Sequence, residues 1–202
     1  MKASIQPFIR NTLLAALLAT QLTGCAALLV AGAVGGATVA MDRRDVGANK
    51  DDKQIEFRVA QIIRGNLSNA HINSEVFNRN VLLTGEVPSI EVGQQAERLA
   101  RIIPNVRNVM NELHVGEPSS IATRASDTFI TTKVKAQLAE DKFVQSSAFI
   151  VTTERGNVYL QGRVTQAEAG RASEIVSKIS GVRRVVRLFD YLTDEQFKQL
   201  NR

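Results

Sequence analysis

The stretch NVLLTGEV at residues 80–87 returns as NVYLQGRV at 157–164, 77 positions later. Both copies follow the pattern V-x-L-x-G-x-V, the pattern of a strand with a glycine inside it. The glycines are Gly85 and Gly162. A missing Cβ within a strand marks a place where a helix or another backbone comes close. One such strand is a weak signal. Its recurrence at matched spacing points to a chain built from two copies of one unit.

The repeat extends in both directions. Upstream, Asp52-x-x-Ile55-x-x-x-Val59 recurs as Asp127-x-x-Ile130-x-x-x-Val134, at an offset of 75. Downstream, Asn105-Val106-Arg107-Asn108-Val109 recurs as Gly181-Val182-Arg183-Arg184-Val185, at an offset of 76. Loops absorb the drift. The units run over 52–116 and 127–192, with a linker at 117–126 and a tail at 193–202.

Each unit has the same order of elements. A first helix is expected from Ile55, Val59, Ile62 and Ile63, and from Ile130, Val134 and Leu138, whose spacings of three and four place them on one face. Ser126 or Asp127 is the expected cap of the second of these helices. Two strands follow as a hairpin. Its turn is Asn78-Arg79-Asn80 in the first unit and Glu154-Arg155-Gly156-Asn157 in the second, where Asn and Gly tolerate a left-handed backbone. A second helix starts at Ser89 in one unit and at Thr165 in the other, where Thr165-x-x-Glu168 fits a capping box. Pro104 and Gly181 end these helices, one lacking an N–H and the other permitting positive φ. A last strand closes each unit. The expected fold class is α+β: two tandem αββαβ domains, each a small mixed three-stranded sheet packed by two helices.

The order of elements, the two V-x-L-x-G-x-V strands and the later P/G-x-V-x-x-V resemble the BON domain. In the first unit Asn105 stands where that family usually has glycine.

The N-terminus sets the compartment. Lys2 and Arg10 precede a run, 12–22, that is apolar apart from Thr12, Thr20 and Gln21. Small residues then lead to Cys25, the single cysteine of the chain. Basic, apolar and small segments in that order are those of a secretory signal peptide. Leu22-Thr23-Gly24-Cys25 resembles the bacterial lipobox, so 1–24 is read as signal peptide and Cys25 as the site of lipidation. A lone cysteine has no disulfide partner, which suits attachment of lipid. The alternative is a membrane-spanning helix, because no charge occurs over 11–41 and about 20 apolar residues are enough to span. Gly32, Gly35 and Gly36, with the interrupting Gln21, Thr23 and Gly24, weigh against it. Residues 25–51 are read as the lipidated N-terminus and a polar spacer. Ala26 after the cysteine, rather than Asp, favours the outer membrane in the sorting pattern this resembles.

Composition excludes several classes. Hydrophobic residues make up 44% of the chain, a globular value rather than a disordered one. The two histidines, His71 and His114, are isolated, and no metal, phosphate-loop or nucleophile motif occurs. Neither a catalytic site nor a cofactor is expected. Charge separates the units. Residues 54–116 carry six basic and six acidic residues, whereas 127–192 carry ten and seven. The excess of +3 attracts anionic surfaces. Nucleic acid is not an expected partner of an exported lipoprotein.

On the first helix of the second unit, Phe129 is rotated about 100° from Ile130. Lys133 lies one turn on from it, and Gln137 another. An aromatic ring beside a lysine can enter acyl chains while the ammonium stays with phosphates. Arg124 and Lys135 add charge. Packing of Phe129 onto the protein itself is the competing expectation. Arg183, Arg184 and Arg187 form a second basic cluster, either lipid-facing or a solvated strand edge.

Signal peptide, lipobox, spacer and two BON-like units together resemble the dual-BON-domain outer-membrane lipoproteins of Gram-negative bacteria. That resemblance implies binding of anionic phospholipid through the first helix of the second unit, and a role in the outer-membrane barrier, including at division sites. The rival expectation is an adaptor for envelope assembly or division proteins, docked by strand addition.

Overall fold

Two residues that a helix pattern would leave to solvent explain how each repeat closes. Asp52 and Asp127 lie within helices, yet both are buried. The Asp52 carboxylate accepts the N–H groups of Asn78 and Arg79, each at 2.7 Å. Asp127 accepts those of Arg155 and Gly156, each at 2.8 Å. Each aspartate thus ties the first helix of its repeat to the hairpin turn. All four turn residues have positive φ, from 48° to 77°, which suits a two-residue turn matched to strand twist. Their inward N–H groups need an acceptor, and the helix supplies one.

The computed structural model describes Arg43 and residues 46–200. The signal peptide, Cys25 and the alternative spanning helix therefore lie outside the described residues. Arg43 and residues 46–200 fall within one compact body.

The first repeat comprises α1 (Val46–Asn66), β1 (His71–Phe77), β2 (Asn80–Val87), α2 (Ile90–Arg101), β3 (Asn108–Asn111) and β4 (His114–Val115). The second comprises α3 (Ile121–Glu140), β5 (Phe149–Glu154), β6 (Asn157–Val164), α4 (Gln166–Ser177) and β7 (Arg184–Tyr191), with a single 3-10 turn at Ser146–Ala148. A short helix, α5 (Asp194–Leu200), follows. The class is α+β, with two mixed sheets. β1 and β2 are antiparallel, while β3 and β4 run parallel to β2. β5 and β6 are antiparallel, and β7 is parallel to β6.

Three boundaries differ from the sequence reading. Helix α1 begins at Val46, inside the stretch read as spacer. Helix α3 begins at Ile121, and its cap is Ser120, whose hydroxyl accepts from Thr123 N–H at 3.1 Å. Neither Ser126 nor Asp127 is the cap, because Asp127 is committed to the turn. The last strand of the first repeat is split at Glu112 and Leu113, whereas β7 is continuous. At the second helices, Ser89 accepts from Val92 N–H, and Thr165 forms the full capping box with Glu168. Asn105 and Gly181 both have positive φ, 71° and 98°.

In each repeat the helices bury one face of the sheet. Ile55, Val59 and Ile63 meet Val81, Leu83, Ala96 and Ala100. Ile130, Val134 and Leu138 meet Val158, Leu160, Ala172 and Val176. A Cβ on Gly85 would sit 2.1 Å from the His71 carbonyl oxygen, and one on Gly162 2.4 Å from that of Ala148. The close neighbour is therefore backbone on the hairpin's other arm.

Alternation turns Leu82, Thr84 and Glu86 to the opposite face of the first sheet. They are buried nevertheless, as are Tyr159 and Gln161 of the second sheet. A cavity of about 260 Å³ lined by Leu82 and Met110 from one repeat and Gln161 and Phe189 from the other lies where these faces approach. The two sheets meet on their helix-free faces.

Candidate functional site

Helix α3 carries two different exposed flanks. Ile130, Val134 and Leu138 point inward. Phe129 is 61% exposed, and the Lys133 ammonium sits 4.4 Å from its ring centroid. At that distance the cation meets the ring's negative face. Two large exposed apolar side chains that the periodicity did not single out stand at the two ends of this helix. Ile121, at the start of α3, is 88% exposed, and Phe143, three residues past its end, is 80% exposed. Ala122, Ala125 and Ala136 are exposed between them. At 100° per residue these alanines fall within about 40° of Phe129, which makes an apolar stripe about 20 Å long from Ala122 to Ala136. The Phe143 loop is held by Asp141, which accepts the Phe143 N–H at 2.9 Å and pairs with Arg171 at 2.8 Å. The backbone bond and the guanidinium outweigh burial and hold the Asp141 carboxyl below its ordinary value.

The five side chains expected to contact lipid separate into two groups. Phe129, Lys133 and Gln137 lie together. Gln137 donates to Glu140 at 2.9 Å. Arg124 and Lys135 are about 140° and 120° around the helix from Phe129. They line a different feature, a polar groove of about 440 Å³ shared with His71, Thr131 and Glu154. The arginine cluster is divided as well. Arg184 pairs with Glu112 of the first repeat, Arg187 lines the cavity between the sheets, and Arg183 packs beside Gly156.

The junction of the repeats holds the densest set of titratable groups. Glu86 is fully buried and receives the Ser119 hydroxyl, Arg155 at 3.2 Å and His71 at 3.0 Å. Burial opposes its charge, but the bonds from Ser119, His71 and Arg155 prevail and hold its carboxyl below the usual range. Glu154 moves the other way, raised by burial and by the nearby Glu86 and Asp127. Serine, acid and histidine meet here in the wrong order for acyl transfer. The carboxylate stands between hydroxyl and imidazole, so the imidazole does not take the serine proton. Tyr159 is pushed up to about 12 by burial and by Glu112, which keeps it a neutral donor. Among the described residues, no group of three or more acidic, histidine or cysteine side chains is arranged to hold a metal ion. None of the described helices is long and apolar enough to cross a membrane.

A family model described as "BON domain" matches residues 51–117 and again 126–193. The chain is 38% identical to the outer membrane lipoprotein DolP of Haemophilus influenzae over 174 residues, which covers 85% of this chain and 90% of that protein. It is 31% identical to the 21 kDa hemolysin of Actinobacillus pleuropneumoniae, over 78% of this chain and 83% of the other. It is 32% identical to the osmotically-inducible protein Y of Escherichia coli, over 74% and 77%.

Proposed function

The chain belongs to the BON-domain family, and from that premise we propose that it is a non-enzymatic lipoprotein of the outer membrane, facing the periplasm. Cys25 anchors it through lipid. The second repeat binds anionic phospholipid, and the protein helps to maintain outer-membrane integrity.

One observation carries the lipid reading: the exposed Phe129 ring with Lys133 beside it, on a helix flank whose neighbours Ala122, Ala125 and Ala136 are exposed too. An amphipathic surface of this kind lies in the interface plane, with rings among acyl chains and cations among phosphates. Arg124 and Lys135, on the flank, add attraction to a negative surface. Burying one ring contributes about 2 kcal/mol, and each of two or three cations about 1 kcal/mol. Binding of about 4 kcal/mol corresponds to a millimolar constant. A short tether supplies a millimolar local concentration, so weak binding is sufficient once the protein is anchored. The similarity to a named outer membrane lipoprotein supports the compartment.

Flotation tests the proposal. The 41–202 fragment, which contains the compact body, should float with vesicles containing phosphatidylglycerol and stay behind with phosphatidylcholine alone. Equal behaviour with both would end the lipid reading.

A second reading, an adaptor for envelope or division proteins, has its own observation. Phe57 is 62% exposed on α1. It borders a groove of about 520 Å³ whose other wall is Ile72, Asn73 and Ser74 of β1, an edge strand. An edge strand beside a groove is suited to strand addition. Capture of a partner that is lost on Phe57→Ala, with vesicle flotation intact, would support it.

A further inference from the structure

Arg43 stands next to the first repeat in sequence but is bound to the second. Its guanidinium makes two bonds to the Glu168 carboxylate, each 2.8 Å, and a third to Gln145 Oε1 at 2.7 Å. The Phe197 ring covers it at 5.2 Å. The backbone is held too, because Arg163 donates to the Arg43 carbonyl at 3.4 Å while Arg43 donates to the Arg163 carbonyl at 3.4 Å. Arg43 is only 8% exposed. A charge is buried to this degree only where a matched partner meets it, and the planar guanidinium fork fits a carboxylate in two bonds. Burial opposes the charge on Glu168, yet Arg43 and the Thr165 backbone bond outweigh it and hold its carboxyl low.

This receptor belongs to the second repeat alone. Position 168 corresponds to Val92 in the first, where α2 carries its first-turn carboxylate one position earlier, at the exposed Glu91 beside Ser89. The receptor also adjoins the exposed Phe143 along the chain. Gln145 is two residues from Phe143. The α4 helix grips both sides of that loop, Glu168 through Arg43 and Arg171 through Asp141.

Resting on the lipid reading proposed here, we infer that Arg43 is a positioning residue of the membrane contact. It straps the chain at Arg43, between the lipidated Cys25 and α1, onto the second repeat through Glu168 and Gln145. Seventeen residues separate Cys25 from Arg43, a reach of at most about 60 Å when extended. With the strap closed, the anchor pulls on the repeat that carries Phe129. With it open, the pull falls on the N-terminus of α1, in the other repeat. The strap therefore sets which face of the body meets the bilayer.

The chain has no tryptophan and one cysteine, which makes a direct test possible. Phe129→Trp provides a single emitter that shifts to the blue on entering acyl chains. The chain from Cys25 onward is coupled through that cysteine to a maleimide lipid in vesicles of phosphatidylglycerol and phosphatidylcholine, or left uncoupled. Arg43→Gln and the double variant Arg43→Gln/Glu168→Gln are compared with the parent; the double variant leaves no unpaired buried charge. The expected result is an unchanged titration for the uncoupled variants. For the coupled variants, the blue-shifted fraction should fall at least threefold. Coupled variants that match the coupled parent would overturn the inference. So would uncoupled variants that lose the response, since Arg43 would then act through folding alone. A parent that never responds to anionic vesicles, coupled or not, would instead remove the lipid reading on which the inference rests.

Discussion

The two repeats share a scaffold and differ in almost everything placed on it. Both have an aspartate that ties helix to turn, a glycine where strand backbones converge, and a left-handed residue after the second helix. At other matched positions they diverge. Phe129 of the second repeat stands where the first has Gln54, and Glu168 where it has Val92. Arg163 stands where the first has Glu86, the buried acid of the junction. The shared positions are backbone devices, which any copy of the fold requires. The divergent ones are an exposed ring, the acid that binds Arg43 and the acid buried against the sister repeat. Duplication left the second copy with the +3 charge and the apolar stripe, and the first with a neutral face and a groove beside its edge strand.

The largest effect should come from the shared glycines. Gly85→Ala and Gly162→Ala each place a methyl against a carbonyl oxygen that cannot retreat without breaking the hairpin, at about 4 kcal/mol or more. Gly85 should be the worse, because its φ of 113° is also unfavourable for alanine. Denaturant midpoints measure both. Equal, mild losses would mean that the hairpins flex more than the shared backbone devices imply.

A middle-sized effect concerns acid. Glu86 and Glu168 have depressed folded pKa values, so their contribution is present above the ordinary carboxylate range and is lost as pH falls through the folded values. Glu154 has the opposite sign: its ionisation costs stability, and protonation in acid restores it. The first two should dominate, and melting temperature should fall between neutral pH and pH 3. Glu86→Gln should lower stability by about 2 kcal/mol at neutral pH, by loss of charge-assisted bonds, and should flatten the acid limb. An acid limb as steep as the parent's would contradict the placement of Glu86 at the centre of the junction.

The smallest effect separates Phe57 and Phe129, the exposed rings on the first helix of each repeat. Phe129→Ala should weaken binding to phosphatidylglycerol vesicles about tenfold at all salt concentrations, for a loss near 1.4 kcal/mol. Lys133→Glu should act chiefly at low salt, where exposed charges are least screened. Phe57→Ala should leave vesicle binding unchanged. If Phe57 and Phe129 prove equivalent in flotation, the division of labour between the repeats disappears.

Local signals in the chain account for the order of elements and for most of their ends. Spacings of three and four, turn residues with positive φ, Ser89 and the Thr165–Glu168 box all act over a few residues, so they are visible in a linear string. The repeat itself is visible because backbone devices recur at nearly constant intervals. What only the tertiary structure decided involves partners far apart in the chain. Asp127 looks like a cap until the turn at Arg155 and Gly156 folds against it. Arg124 and Lys135 look like companions of Phe129 until helix rotation and the approach of His71 put them in another groove. Ile121 and Phe143 belong to no periodic pattern, and their exposure follows from where α3 starts and stops. Arg43 meets Glu168 across 125 residues. Such contacts depend on which surfaces pack, and burial of the two helix-free sheet faces against each other settles that. Local propensity is set by neighbours along the backbone, whereas charge pairing and exposure are set by what long-range packing leaves uncovered.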